Sequence, residues 1–163
     1  MDFAKFQRLV SDRPGFQMME NPTATGEYFS DSCGDMYNLF LKVGPGAVIE
    51  DVSYFTTGCG FGVATCSLVV DLSRGKTIDE AAAITTADVE AALDGYPEKK
   101  KDYPERVLDA LKLAIDDYRD KVGKGEVPDY ATMPAAQRPV VAPVAQKEEA
   151  PRDGDGKVLI RLH

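Results

Sequence analysis

Between Met36 and Phe55 the chain has few ways to fold. In MYNLFLKV, Tyr37, Leu39, Leu41 and Val43 alternate with Met36, Asn38, Phe40 and Lys42, which is the period of a strand with one buried face. Gly44-Pro45-Gly46 reads as a turn, and Val48–Phe55 returns as a second strand rich in β-branched and aromatic residues. Two strands closed by so short a turn predict an antiparallel hairpin. After Gly58-Cys59-Gly60 the period changes. Val63, Ala64, Leu68, Val69, Val70 and Leu72 suit a mostly buried helix, with Gly75 placed to end it.

Downstream, Thr77 to Glu80 forms a capping box that opens a short helix, and TTADVEAAL is a second one stopped by DGYP. Pro104 suits the first turn of a final helix, in which Val107, Leu108, Leu111, Ala114, Ile115 and Tyr118 share one face. A helix, then strands, then helices predicts an α+β domain: a small antiparallel sheet with helices packed on one face. That domain is expected over residues 1–122. Residues 123–163 are rich in Pro, Ala, Gly and charge without a sustained period, so they read as a flexible C-terminal tail. Within it, Lys157–Leu162 has the composition of a short docking strand.

A chain of 163 residues with 44% hydrophobic content supports one domain with a true core. Its net charge of −8 argues against a nucleic-acid backbone or an anionic membrane as partner. No apolar run is long enough to span a bilayer, and the first residues lack the pattern of a secretory signal. Three cysteines cannot all pair, so a reducing cytoplasm is expected.

Two short stretches carry the chemistry: SDSCGD, residues 30–35, and TTGCGFGVATC, residues 56–66. Gly58, Gly60 and Gly62 match a dinucleotide fingerprint only loosely and lack the surrounding strand–helix–strand order. No two cysteines stand three apart, which excludes a CxxC redox pair. Two readings then stand side by side. In one, Cys33, Asp35 and Cys59 bind zinc or iron, with Cys59 at a helix N-terminus that favours thiolate. In the other, the glycines shape turns and both cysteines are small buried hydrophobes. Cys66 lies seven residues beyond Cys59, about 10 Å along a helix axis, and reads as a packing residue. His163, the single histidine, is the last residue of the chain and reads as a frayed terminus rather than a ligand.

Three ordered motifs resemble the iron–sulfur cluster assembly scaffolds, the NifU N-terminal or IscU-like family. ENPTATGEY resembles that family's Asn-Pro segment, SCGDMYNLFLKV its Cys-Gly-Asp strand, and VIEDVSYFTTGCGFGVATCSLVVDLSRGKTIDEA its second-cysteine block. The resemblance covers roughly residues 15–120. It implies a non-enzymatic scaffold or carrier for a [2Fe–2S] cluster, with a cysteine desulfurase and apo iron–sulfur proteins as partners. Matched to its motifs, Cys33, Asp35 and Cys59 take the first ligand, the aspartate and the second ligand. Lys100 takes the position of a lysine beside the site. The family's third motif, a His-Cys pair, is replaced by Asp102 and Tyr103, and YPEKK stands where a chaperone-read Leu-Pro-Pro-Val-Lys peptide would be. The expected ligand set is therefore atypical: Cys33, Asp35, Cys59 and Asp102, for a cluster, iron or zinc. A homodimer sharing a cluster is a second way to gather four thiolates. The alternatives are a degenerate homologue acting as a partner-binding or regulatory module, or a zinc-binding sulfur acceptor.

Overall fold

Alternation puts Tyr37, Leu39 and Leu41 on one side of the central strand, and all three are fully buried. The computed structural model describes residues 1–134. Three strands, β1 (Ala24–Ser30), β2 (Asp35–Gly44) and β3 (Val48–Thr56), form an antiparallel sheet in that order. Leu39 pairs with Gly26 and Tyr54, and Leu41 with Ala24 and Val52, so one continuous apolar face forms. The turn between β2 and β3 is a single 3₁₀ turn, Pro45–Ala47.

Five helices are present among the described residues: α1 (Phe3–Asp12), α2 (Gly60–Ser73), α3 (Ile78–Ala82), α4 (Thr86–Ala92) and α5 (Tyr103–Gly123). α5 lies across β1 and β2, and α2 packs between β3, α1, α4 and α5. Being enclosed this way, α2 is buried over Gly62–Val70 on every side, as expected of a helix without a polar stripe. Its hydroxyls find partners: Ser67 Oγ is 2.9 Å from the Tyr54 hydroxyl, and Thr65 Oγ1 is 2.8 Å from the Tyr96 hydroxyl. Cys66 is fully buried in this core, and burial pushes its thiol up, so it stays protonated. The capping box expected at Thr77 is present, with Thr77 Oγ1 accepting from the Glu80 N–H and Glu80 Oε1 accepting from the Thr77 N–H.

Gly26 sets how closely α5 approaches the sheet. A β-carbon there would fall 2.2 Å from the Ala110 carbonyl oxygen and 2.3 Å from the Ala114 nitrogen. The helix backbone therefore rests directly on β1, with small residues on its contact face.

The outer edge of β3 is also covered. Tyr54 donates its N–H to the Gly15 carbonyl (2.9 Å) and accepts from the Gln17 N–H (3.0 Å). Ile49 donates to the Lys76 carbonyl (2.8 Å) and accepts from the Gly75 N–H (2.8 Å).

Beyond α5, Tyr130–Thr132 forms a 3₁₀ turn against Pro45–Ala47, and Val127 and Tyr130 pack onto the core. The docking segment expected at residues 157–162, and His163, lie outside the described residues. No helix among the described residues is long and apolar enough to cross a membrane.

Candidate metal centre

The β1–β2 connection is a tight loop. Gly34 adopts φ 70°, a conformation that costs other residues strain, and its N–H closes the loop on the Ser30 carbonyl at 2.7 Å. This geometry presents Cys33 to solvent and starts β2 at Asp35. The Cys33 sulfur lies 3.3 Å from Ser30 Oγ and 3.4 Å from Asp35 Oδ2. The Tyr37 hydroxyl donates to the same carboxylate oxygen at 3.4 Å.

The loop after β3 is tied to the same end of the sheet. Thr57 Oγ1 accepts from the Met36 N–H (3.0 Å) and Thr56 Oγ1 donates to the Met36 carbonyl (2.8 Å). A β-carbon on Gly58 would lie 3.4 Å from both Asp35 Oδ2 and the Tyr37 hydroxyl, so this loop passes beside the carboxylate. Cys59 follows as the N-cap of α2 and is exposed.

The third contributor is the start of α5 and the 3₁₀ turn before it, Glu98–Lys100. The Tyr103 hydroxyl sits 3.2 Å from the Cys59 sulfur. The Lys100 ammonium lies over the Tyr103 and Phe61 rings, at 5.2 and 5.5 Å from their centroids. Desolvation works to raise the Cys59 pKa, but it is outweighed. The Tyr103 hydroxyl, the Gly62 and Phe61 N–H groups at the helix start and the Lys100 charge together hold the thiol below its usual range. Burial, followed by the neighbouring Cys59, drives the Tyr103 phenol the other way, so Tyr103 is the donor whenever Cys59 is ionised.

Asp102 precedes α5 and forms an ion pair with Arg106 one turn on. Arg106 also donates from Nη1 to the Cys33 sulfur at 2.7 Å. The predicted residues are thus arranged as two neighbouring sets. Cys33 and Asp35 touch, and Asp102 joins them through Arg106. Cys59 stands with Tyr103 and Lys100. Among the described residues no three His, Cys, Asp or Glu side chains lie close enough to hold a metal ion as they stand. Sequence reasoning missed Arg106 and Tyr37. Arg106 had one legible signal, the four-residue spacing from Asp102 at a helix start; Tyr37 looked like any core aromatic.

Two accessible sulfurs and carboxylate oxygens suit a late first-row metal or an iron–sulfur centre. The family model for the NifU-like N terminal domain matches residues 13–125. The iron–sulfur cluster assembly scaffold protein IscU 1 of Archaeoglobus fulgidus is 38% identical over 106 residues, 65% of this chain and 69% of the relative. IscU of Escherichia coli is 36% identical over 106 residues, 65% of this chain and 82% of the relative. In fold, the chain is similar to a crystal structure from Fervidobacterium islandicum described as a putative iron–sulfur cluster assembly scaffold for the SUF system. That match has a TM-score of 0.57 at 19% identity, covering 68% of this chain and 93% of the other.

Proposed function

The chain belongs to the family of NifU-like N-terminal domains, and from that premise we propose that it is an iron–sulfur cluster assembly scaffold or carrier. Its cargo is iron with sulfide, held as a [2Fe–2S]-type cluster and passed to apo-proteins. Sulfur is supplied by a cysteine desulfurase, and the protein acts in the cytoplasm without turning over a substrate itself. Cys33, Asp35 and Cys59 are the ligands this reading assigns, with Asp102 adding an oxygen and Lys100 lining the site.

One observation carries the reading: an exposed N-cap thiol, held below its usual pKa range by Tyr103, two helix N–H groups and Lys100, stands at the same end of the sheet as a second exposed thiol and its carboxylate. A thiol held below its usual range gives up its proton to a metal more readily than an ordinary one. Oxygen ligands bind iron in sulfide clusters less firmly than thiolates, which suits a protein that gives its cargo away.

Tyr103 favours a second reading, a partner-binding module that holds no cluster, because its hydroxyl fills the space beside Cys59. Anaerobic reconstitution with iron and sulfide separates the two. A scaffold gives a visible-absorbing species with bound iron that is lost in Cys59→Ala and Cys33→Ser. A folded protein that remains colourless and iron-free overturns the scaffold reading. About one zinc per chain as isolated, with no cluster, identifies a zinc-binding sulfur acceptor instead.

A further inference from the structure

Arg106 reaches from α5 to the β1–β2 loop with a side chain only 15% exposed. Its Nη1 donates to the Cys33 sulfur at 2.7 Å, and its Nη2 meets the Asp102 carboxylate and lies 3.4 Å from Ser32 Oγ. Its Cζ stands 4.9 Å from the centroid of the Tyr103 ring. A guanidinium is planar, with donors in a fixed fork, and stacking on an aromatic face fixes the plane as well. One cation therefore ties a thiol, a carboxylate and a hydroxyl from two separate elements together.

Resting on the scaffold reading above, we propose that Arg106 is a latch that occupies the metal position between Cys33 and Asp102 and is exchanged for the incoming metal. A metal bonded to thiolate sulfur at about 2.3 Å and to carboxylate oxygen at about 2.1 Å must sit between the two. The guanidinium fills that volume. The two positive charges also repel at short range, so the two occupants exclude each other. In the cargo-free protein the guanidinium keeps the Cys33 sulfur and the Asp102 carboxylate together without metal. When cargo arrives, Arg106 swings away from Cys33. When cargo leaves, the guanidinium returns and competes against rebinding. Arg106 is thus a positioning residue that sets how tightly the site holds its cargo.

The test uses Co²⁺ alone as the probe, on the full chain under anaerobic reducing conditions, reading the thiolate-to-cobalt charge-transfer absorption. Arg106→Gln is expected to tighten Co²⁺ binding about tenfold, the scale of one released charge-assisted hydrogen bond. Arg106→Lys keeps the charge but loses the fork, and is expected to fall between Gln and wild type. The gain should vanish when Arg106→Gln is combined with Cys33→Ser, because it depends on the sulfur that the latch holds. Thiolate absorption in the Gln variant but not in wild type also supports the latch. Binding to wild type through Cys33 and Cys59, with no gain or a loss in Arg106→Gln, overturns the latch and leaves the scaffold reading standing. No thiolate–cobalt absorption in wild type or in either Arg106 variant overturns both.

Discussion

Replacing Gly26 with alanine adds one methyl group at the point where α5 rests on the sheet. That methyl would stand 2.2 Å from the Ala110 carbonyl oxygen and 2.3 Å from the Ala114 nitrogen, more than about 1 Å inside normal van der Waals contact. Both obstacles are helix backbone, so no rotamer change relieves the clash and α5 must retreat. Overpacking of this kind costs about 1–3 kcal/mol, and a backbone obstacle places Gly26→Ala at the top of that range, about 3 kcal/mol. A folded domain of roughly 120 residues has an unfolding entropy of about 0.25 kcal/mol per degree, so Tm should fall by about 12 °C. Thermal melts followed by far-ultraviolet circular dichroism measure this, with urea unfolding at an unchanged m to confirm that native stability is what moved. Trimming Ala110 or Ala114 to glycine should not rescue the variant, because neither side chain is the obstacle. A Tm within about 3 °C of wild type would refute the claim that Gly26 sets the helix–sheet distance. The effect should reach the candidate site too, since the first turn of α5 carries Tyr103 and Arg106.

Tyr103→Phe removes a hydrogen bond that favours the Cys59 thiolate. The pH midpoint for alkylation of Cys59 should lie below that of an unperturbed thiol in wild type and move upward in the variant, slowing the reaction at pH 7; coincident profiles would contradict the assigned cause. Cys66 is fully buried with its pKa raised by burial, so iodoacetamide should label Cys33 and Cys59 in the native protein and reach Cys66 only on unfolding, as mass spectrometry would show. Tyr54→Phe leaves Ser67 Oγ buried without its partner and should cost about 1–2 kcal/mol in urea unfolding. The pair Tyr54→Phe with Ser67→Ala should then cost less than the two single changes added together.

The hairpin was legible because alternation and a Gly-Pro turn admit one register. Strands expected at 36–43 and 48–55 are present as Asp35–Gly44 and Val48–Thr56. The start of α2 after Cys59 and the capping box at Thr77 were legible for local reasons as well. β1 was not. ATGEYFS carries a glycine and little apolar weight, and it becomes a strand through its pairing with β2 and the helix that lies on Gly26. Of the site, Cys33 and Asp35 were legible because they share one short loop. Arg106 reaches Cys33 across 73 residues of sequence. That approach depends on how α5 crosses β1, which no local pattern encodes. The Tyr103 contact with Cys59 depends on the same crossing.

The covering of β3 has a consequence for association. An open strand edge is a template on which other chains can pair and polymerise. Here two short segments, around Gly15–Gln17 and Gly75–Lys76, use the backbone groups of Tyr54 and Ile49, and between them the Arg74 guanidinium donates to the Val52 carbonyl at 3.3 Å. A foreign strand finds no continuous ladder along this edge. The cover reaches Tyr54, two residues before β3 ends and the chain turns toward Cys59, so this edge stays closed up to the metal end. Two copies of the chain cannot join their sheets through β3 without first displacing these segments.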